Sequence, residues 1–131
     1  LLLPVVALGG SPRVERAWIR LLPGDLPLAG YLVLDNPDAR PLTLTGAHSA
    51  AFARIAMHES RADSGVARMR PVEQITIPPG DRLVFAPGGY HLMLLDRTRA
   101  LQVGDQVPVT LEFADGSPLR VLFSVRGALG R

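Results

Sequence analysis

Gln106-Val107-Pro108-Val109-Thr110-Leu111-Glu112-Phe113-Ala114-Asp115-Gly116-Ser117-Pro118-Leu119-Arg120-Val121-Leu122-Phe123-Ser124-Val125 is the stretch on which the fold class turns. Val107, Val109, Leu111 and Phe113 fall at every second position, the period of an extended strand whose alternate side chains share a face. Ala114-Asp115-Gly116-Ser117 has turn chemistry, and Leu119, Val121, Phe123 and Val125 return with the same period. These residues spell a hairpin with one buried face.

Working outward, the same kind of segment recurs along the chain. Val14–Leu22 is stopped by Pro23-Gly24-Asp25, and Gly30–Asp35 by Asn36-Pro37-Asp38. Pro41–Ala47 and Ala51–His58 follow, then a Ser60–Gly65 loop, Val66–Arg70 and Glu73–Ile77. Pro78-Pro79-Gly80-Asp81 turns the chain into Arg82–Ala86, and Tyr90–Leu95 precedes the closing hairpin. Short strands punctuated by 12 prolines and 13 glycines predict an all-β, antiparallel sandwich or barrel. Thr98–Val103 has room for one or two helical turns at most. With 131 residues and no linker-like stretch, a single domain is expected over residues 13–127, with 128–131 as a short tail. Leu1–Gly10 is almost wholly apolar, too short to span a bilayer, and matches the end of a signal-peptide hydrophobic region, so residues 1–12 are expected to be a leader remnant and the protein exported from the cytoplasm. An apolar first strand is the alternative reading.

The formal charge is +2, yet the pI is about 9.9, because all 14 basic residues are arginine. They are spread along the chain and accompanied by few aromatic residues, which argues against a nucleic-acid partner. No later apolar run reaches spanning length, so stable membrane insertion is not expected. Cysteine is absent, which excludes disulfides and also a blue-copper electron carrier, whose metal requires a thiolate. There is no nucleophile-elbow pattern, no zinc-protease motif and no recognisable carboxylate pair, so nothing asks for an enzyme.

Pro87-Gly88-Gly89-Tyr90-His91-Leu92-Met93-Leu94-Leu95 carries the chemistry. On a strand, His91 and Met93 project together while Tyr90, Leu92 and Leu94 take the other face. An imidazole nitrogen binds many transition metals, whereas a thioether suits Cu(I) and does little for zinc, magnesium or calcium. One strand therefore offers half of a possible copper site. All three methionines (Met57, Met69, Met93) and two of the three histidines (His58, His91) lie between positions 57 and 93. Each has a plainer reading: Met93 as core filler among leucines, His91 as a hydrogen-bonded histidine, Met69 as buried between Arg68 and Arg70 or accessible at an edge. Met57 must face away from His58 and is expected to pack, and His48 to be an ordinary loop or strand-end residue. Glu59 or Glu73 could orient a ligating imidazole, though a solvated charge is the plainer role for each. Gly88-Gly89 is expected to supply a positive-φ turn into the strand.

The spacing H-x10-M-x21-H-x-M, together with Met57-His58-Glu59, Met69-Arg70-Pro71-Val72-Glu73, Ile77-Pro78-Pro79-Gly80 and the Gly-Gly-Tyr-His-Leu-Met run, resembles the PCuAC family of periplasmic copper chaperones. In weaker form the likeness extends from Ala17-Trp18-Ile19-Arg20 to the last strand. The resemblance implies a cupredoxin-like Greek-key β-sandwich and one Cu(I) held at the surface by His58, Met69, His91 and Met93. It also implies delivery for assembly of the CuA centre of cytochrome c oxidase, with an apo oxidase subunit and a Sco-type protein as partners. This chain ends without the His- and Met-rich tail of some members. A metal-free secreted interaction module and a periplasmic copper buffer are the alternatives.

Overall fold

The computed structural model describes residues 10–131, so the leader reading of residues 1–9 lies outside it. Ten strands follow in order: β1 Arg13–Arg20, β2 Leu28–Asp35, β3 Leu42–His48, β4 Phe52–Asp63, β5 Val66–Pro71, β6 Ile75–Ile77, β7 Arg82–Phe85, β8 Tyr90–Arg97, β9 Gln106–Phe113 and β10 Pro118–Arg126. No helix occurs among the described residues, and the Thr98–Val103 stretch is turn and coil.

The closing hairpin sets the pattern. Leu119 stands opposite Leu111, Val121 opposite Val109 and Phe123 opposite Val107. Val107, Val109, Leu111 and Phe123 are fully buried, as the period-2 reading requires. In the turn, Gly116 N–H donates to Phe113 O at 2.9 Å and Ser117 N–H to Asp115 Oδ1 at 2.8 Å.

Hydrogen-bonded neighbours run β5-β4-β8-β7-β2-β1-β10-β9-β3-β6, with β8 also joined to β2. β4–β8, β2–β7, β1–β10 and β9–β3 are neighbours distant in sequence, the crossovers of a Greek-key arrangement. β3 and β4 lie towards opposite ends of this order, yet only Ser49–Ala51 separates them, with Phe52 N–H bonded to Ser49 O at 3.3 Å. So short a link can be made only if the sheet folds over on itself. The fold brings Leu44, Val109, Leu111 and Phe123 against Leu32, Leu34, Met57, Leu92 and Leu94 in one core. Burying each of the large aliphatic side chains is worth about 1.5–3 kcal/mol.

One sequence expectation holds with two exceptions, and another needs correction. Pairing is antiparallel as expected except where β10 returns parallel to β1 (Trp18 opposite Ser124) and β7 meets β8 in parallel at Phe85 and Tyr90. Neither contact involves a local turn, so no short-range signal announces it. The Ser60–Gly65 loop is mostly strand: β4 runs on to Asp63, and the two-residue turn Ser64-Gly65, with φ of 52° and 80°, returns it as β5. This extension is exposed on both faces and lacks the apolar alternation that reveals a strand.

A buried amide locks the C-terminal end of β2. Asn36 Nδ2 donates to the carbonyls of Arg40 (2.8 Å), Ile77 (3.1 Å) and Pro78 (3.2 Å), while its Oδ1 accepts from Asp38 N–H at 3.1 Å. One side chain thus joins the end of β2 to the loop before β3 and to the β6–β7 turn. Asn36→Ala should lower stability by roughly 1–3 kcal/mol, because buried carbonyls lose their donor. A urea midpoint that stays at the wild-type value would contradict this role.

Candidate metal centre

The four residues singled out by spacing come from β4, β5 and β8. His58 stands directly opposite His91, and Ala56 opposite Met93, in the β4–β8 ladder. Ser60, two residues beyond His58, stands opposite Met69 in the β4–β5 ladder. Directly paired residues share a face, as do residues two apart, so His58, Met69, His91 and Met93 all occupy the outer face of three adjacent strands. The inner face of the same strands carries Met57, Leu92 and Leu94, all buried in the core. Met57 is therefore a packing residue, as its parity requires.

Side-chain contacts tighten the arrangement. His58 Nδ1 lies 3.1 Å from Met69 Sδ, and the rings of His58 and His91 meet edge to face with centroids 5.7 Å apart. Two ligand atoms bound to one tetrahedral metal through nitrogen and sulfur stand roughly 3.5 Å apart, close to the first of these separations. Met93 is placed by register, between Ala56 on β4 and Ala29 on β2, two side chains too small to crowd its thioether.

The site is graded from base to rim. His91 is 7% exposed and Met69 52% exposed, because β8 lies inside the sheet whereas β5 is an edge strand. Met69 is thus the accessible thioether of the two readings left open by Arg68 and Arg70. His91 Nδ1 lies 3.4 Å from Gly89 O, a contact that favours a proton on Nδ1 and leaves the Nε2 lone pair for a metal. The same carbonyl accepts Ser60 N–H at 2.9 Å, tying the glycine turn to β4. Gly88 has φ +85°, the left-handed conformation that glycine was expected to provide there.

Neither glutamate touches a candidate imidazole. Glu59 Oε1 accepts from Arg70 Nε at 2.8 Å and from Arg61 Nε at 3.2 Å, and the Arg70 hydrogen bond foremost holds its carboxyl below the ordinary range. Glu73 is exposed. The partner of the His91 ring is instead a backbone carbonyl, which no side-chain motif could have disclosed. His48, at the end of β3, is bonded through Nδ1 to Glu112 Oε1 at 2.6 Å and stands apart from the cluster. Among the described residues no three His, Asp or Glu side chains converge on a point where a metal could sit. The thioethers of Met69 and Met93 are the soft donors that this face adds to its two imidazoles, and such donors suit a soft monovalent metal.

An all-β sandwich with a His- and Met-lined outer face is the class of protein that these features define. The chain belongs to the LpqE-like lipoprotein family, whose profile matches residues 13–125. It is a PCuAC-type member, as its similarity to solved PCuAC domains shows. It is 31% identical over 119 residues to Lxx21020 of Leifsonia xyli subsp. xyli, a protein bearing a lipoprotein name, covering 90% of this chain and 71% of that one. The copper-bound PCuAC domain from PmoF2 superposes with a TM-score of 0.75 at 28% identity, covering 91% of this chain and 95% of that chain. The Cu(I) form of DR1885 from Deinococcus radiodurans gives 0.75 at 30% identity, covering 92% and 81% respectively. The cupredoxin-like sandwich expected from the sequence is thus the fold of this protein.

Burial first, then the charge that His91 would carry, then that of Arg54, hold the His58 imidazole below its ordinary pKa of 6.5. A depressed value keeps His58 neutral, the form that binds metal, to lower pH than a free imidazole. It also means that acidification below 6.5 protonates the unfolded chain first and costs the apo protein stability. In an NMR titration of the apo protein, the His58 ring resonances should show a midpoint below 6.5; a midpoint at or above it would contradict the assigned surroundings.

Proposed function

We propose that this protein is an exported copper chaperone that carries one Cu(I) on the outer face of β4, β5 and β8, with His58, Met69, His91 and Met93 as ligands. The observation that carries the reading is the register: His58 opposite His91, Ala56 opposite Met93 and Ser60 opposite Met69 gather two imidazoles and two thioethers on one face. Such a ligand set is neutral and partly soft, which favours Cu(I) over Cu(II) and zinc. Similarity to the copper-bound PmoF2 domain and to Cu(I)-DR1885 supports copper as the cargo.

Neutral ligands and a rim thioether suit handover. With no thiolate to hold the ion, an incoming ligand can displace Met69 first, because that side chain is half exposed on an edge strand. His91, at the buried base, would leave last. The recipient in this reading is the apo CuA subunit of cytochrome c oxidase, directly or through a Sco-type thiol protein. Export accords with the lipoprotein names of the family and of the Leifsonia relative. Residues 1–12 then serve as the leader remnant, 13–127 as the carrier domain and 128–131 as its tail. Among the described residues no helix is long and apolar enough to cross a membrane. The role is transport rather than catalysis.

Competition with a chromogenic Cu(I) chelator tests the reading. Wild-type protein should retain one equivalent of Cu(I), and Met69→Ala and His91→Ala should each weaken binding by about tenfold or more, the equivalent of at least about 1.4 kcal/mol. Affinity should also fall on acidification, since protonated imidazole cannot ligate. A wild-type protein that never competes would leave a metal-free interaction module. One that binds Cu(I) without passing it to an apo CuA subunit would be a buffer.

A further inference from the structure

The outer face that bears the candidate ligands continues across the sheet. Cα partners run in one row from Ala56 on β4 to Met93 on β8, Ala29 on β2, Arg20 on β1 and Arg126 on β10. Direct partners share a face, so Met93 and the two arginines project from the same side with only the Ala29 methyl group between them. At about 4.8 Å per strand, the backbone of Arg20 lies roughly 10 Å from that of Met93. In the adjacent row Tyr31, Trp18 and Ser124 are partners.

Arg20 and Arg126 are thus like charges on facing positions of neighbouring strands, a placement that ordinarily destabilises a sheet. Aromatic faces hold them there. The Arg20 guanidinium lies 5.7 Å from the Trp18 ring centre and 5.4 Å from that of Tyr31, while that of Arg126 lies 5.7 Å from Trp18. Trp18 and Tyr31 in turn pack at 4.9 Å. Among the described residues neither guanidinium has a carboxylate partner, and Arg20 Nε is buried with no hydrogen-bond partner at all. Arg61, Arg70 and Arg82, by contrast, each meet a carboxylate. Arg126 also lines a cleft of about 490 Å³ with Arg16, with Arg120 on the same face of β10, and with Glu15, whose carboxylate is already paired with Arg82 at 3.3 Å.

We propose that Arg20 and Arg126, stacked on Trp18 and Tyr31, form a docking site for a carboxylate-rich protein surface, which they seat beside the ligand-bearing face. The assignment rests on the copper-carrier reading only for its purpose, since the charge and geometry of the patch stand without it. The Trp18 and Tyr31 rings hold the guanidinium groups in place in advance, so an incoming carboxylate meets preorganised terminal N–H donors. A partner held there presents its own metal-binding groups about two strand widths from Met93. Like other pairings of exposed charges, the association would be steered at long range and weakened by salt.

The test uses an acetylated, amidated hexaglutamate peptide titrated into the labelled full chain, followed by NMR. The shifts should concentrate on the Trp18 indole N–H and the Arg20 and Arg126 Nε–H groups, with a dissociation constant that rises with salt. Arg20→Gln with Arg126→Gln should weaken binding about tenfold, whereas the double lysine variant, which keeps charge, should retain most of it. Shifts spread over the arginines generally, or unchanged binding by the glutamine variant, would overturn the proposal. So would tighter binding of phosphatidylglycerol vesicles than of hexaglutamate at the same residues. If the glutamine variant fails to fold, the wild-type shift map decides alone. Chelator competition on the arginine variants separates the two readings: lost peptide binding with intact Cu(I) binding removes only the patch, and a wild-type protein that binds peptide but no copper removes only the carrier.

Discussion

The direct pairing of β4 with β8 is the constraint from which both core and site follow. Because a pleated strand sends successive side chains to opposite faces, fixing His58 opposite His91 also fixes Met57 opposite Leu92 on the other side. The inner set is buried among Leu94 and the rest of the core, and the outer set is a His- and Met-bearing surface. A slip of one residue would carry imidazole into the core and leucine to the surface. The large apolar area at stake therefore enforces the register that brings the candidate ligands to one face, and the stability of the sandwich and the geometry of that face are one requirement.

Different parts of the site inherit different degrees of rigidity from their position in the sheet. β8 is flanked by β4 on one side and by β2 and β7 on the other, so His91 and Met93 stand on backbone that is bonded along both edges. β5 is an edge strand reached through a two-residue turn, and it carries Met69 with every residue exposed. The candidate face thus combines a buried anchor with an exposed edge. Glu59, held by Arg61 and Arg70, braces the opposite face of the same extension without competing for the imidazoles.

The outer face is equally uneven in charge. Over β4, β5 and β8 it offers imidazole and thioether donors; over β1 and β10 it offers two arginines resting on aromatic rings, without acidic partners among the described residues. Ala29 and Ala56 keep the Met93 row low, so the two regions form one continuous surface. The polar staple at Asn36 ties the end of β2 to the β6–β7 turn and bonds to none of the groups on this face.

The sequence by itself determined the class of the fold and the identity of the candidate ligands. Strict alternation in Val107–Phe113 and Leu119–Val125 can be satisfied only by a half-buried hairpin, and the parity of His91, Met93 and Met57 already assigns each to its face. The extent of β4 and β5 was hidden because their exposed residues carry no apolar period, and the parallel β1–β10 contact was hidden because it joins chain segments that no turn connects. Tertiary structure alone decided that Ser60 lies opposite Met69, that a backbone carbonyl rather than Glu59 or Glu73 meets His91, and that Arg20 and Arg126 become neighbours. Local composition sets which face a side chain takes, but only long-range pairing sets what stands beside it.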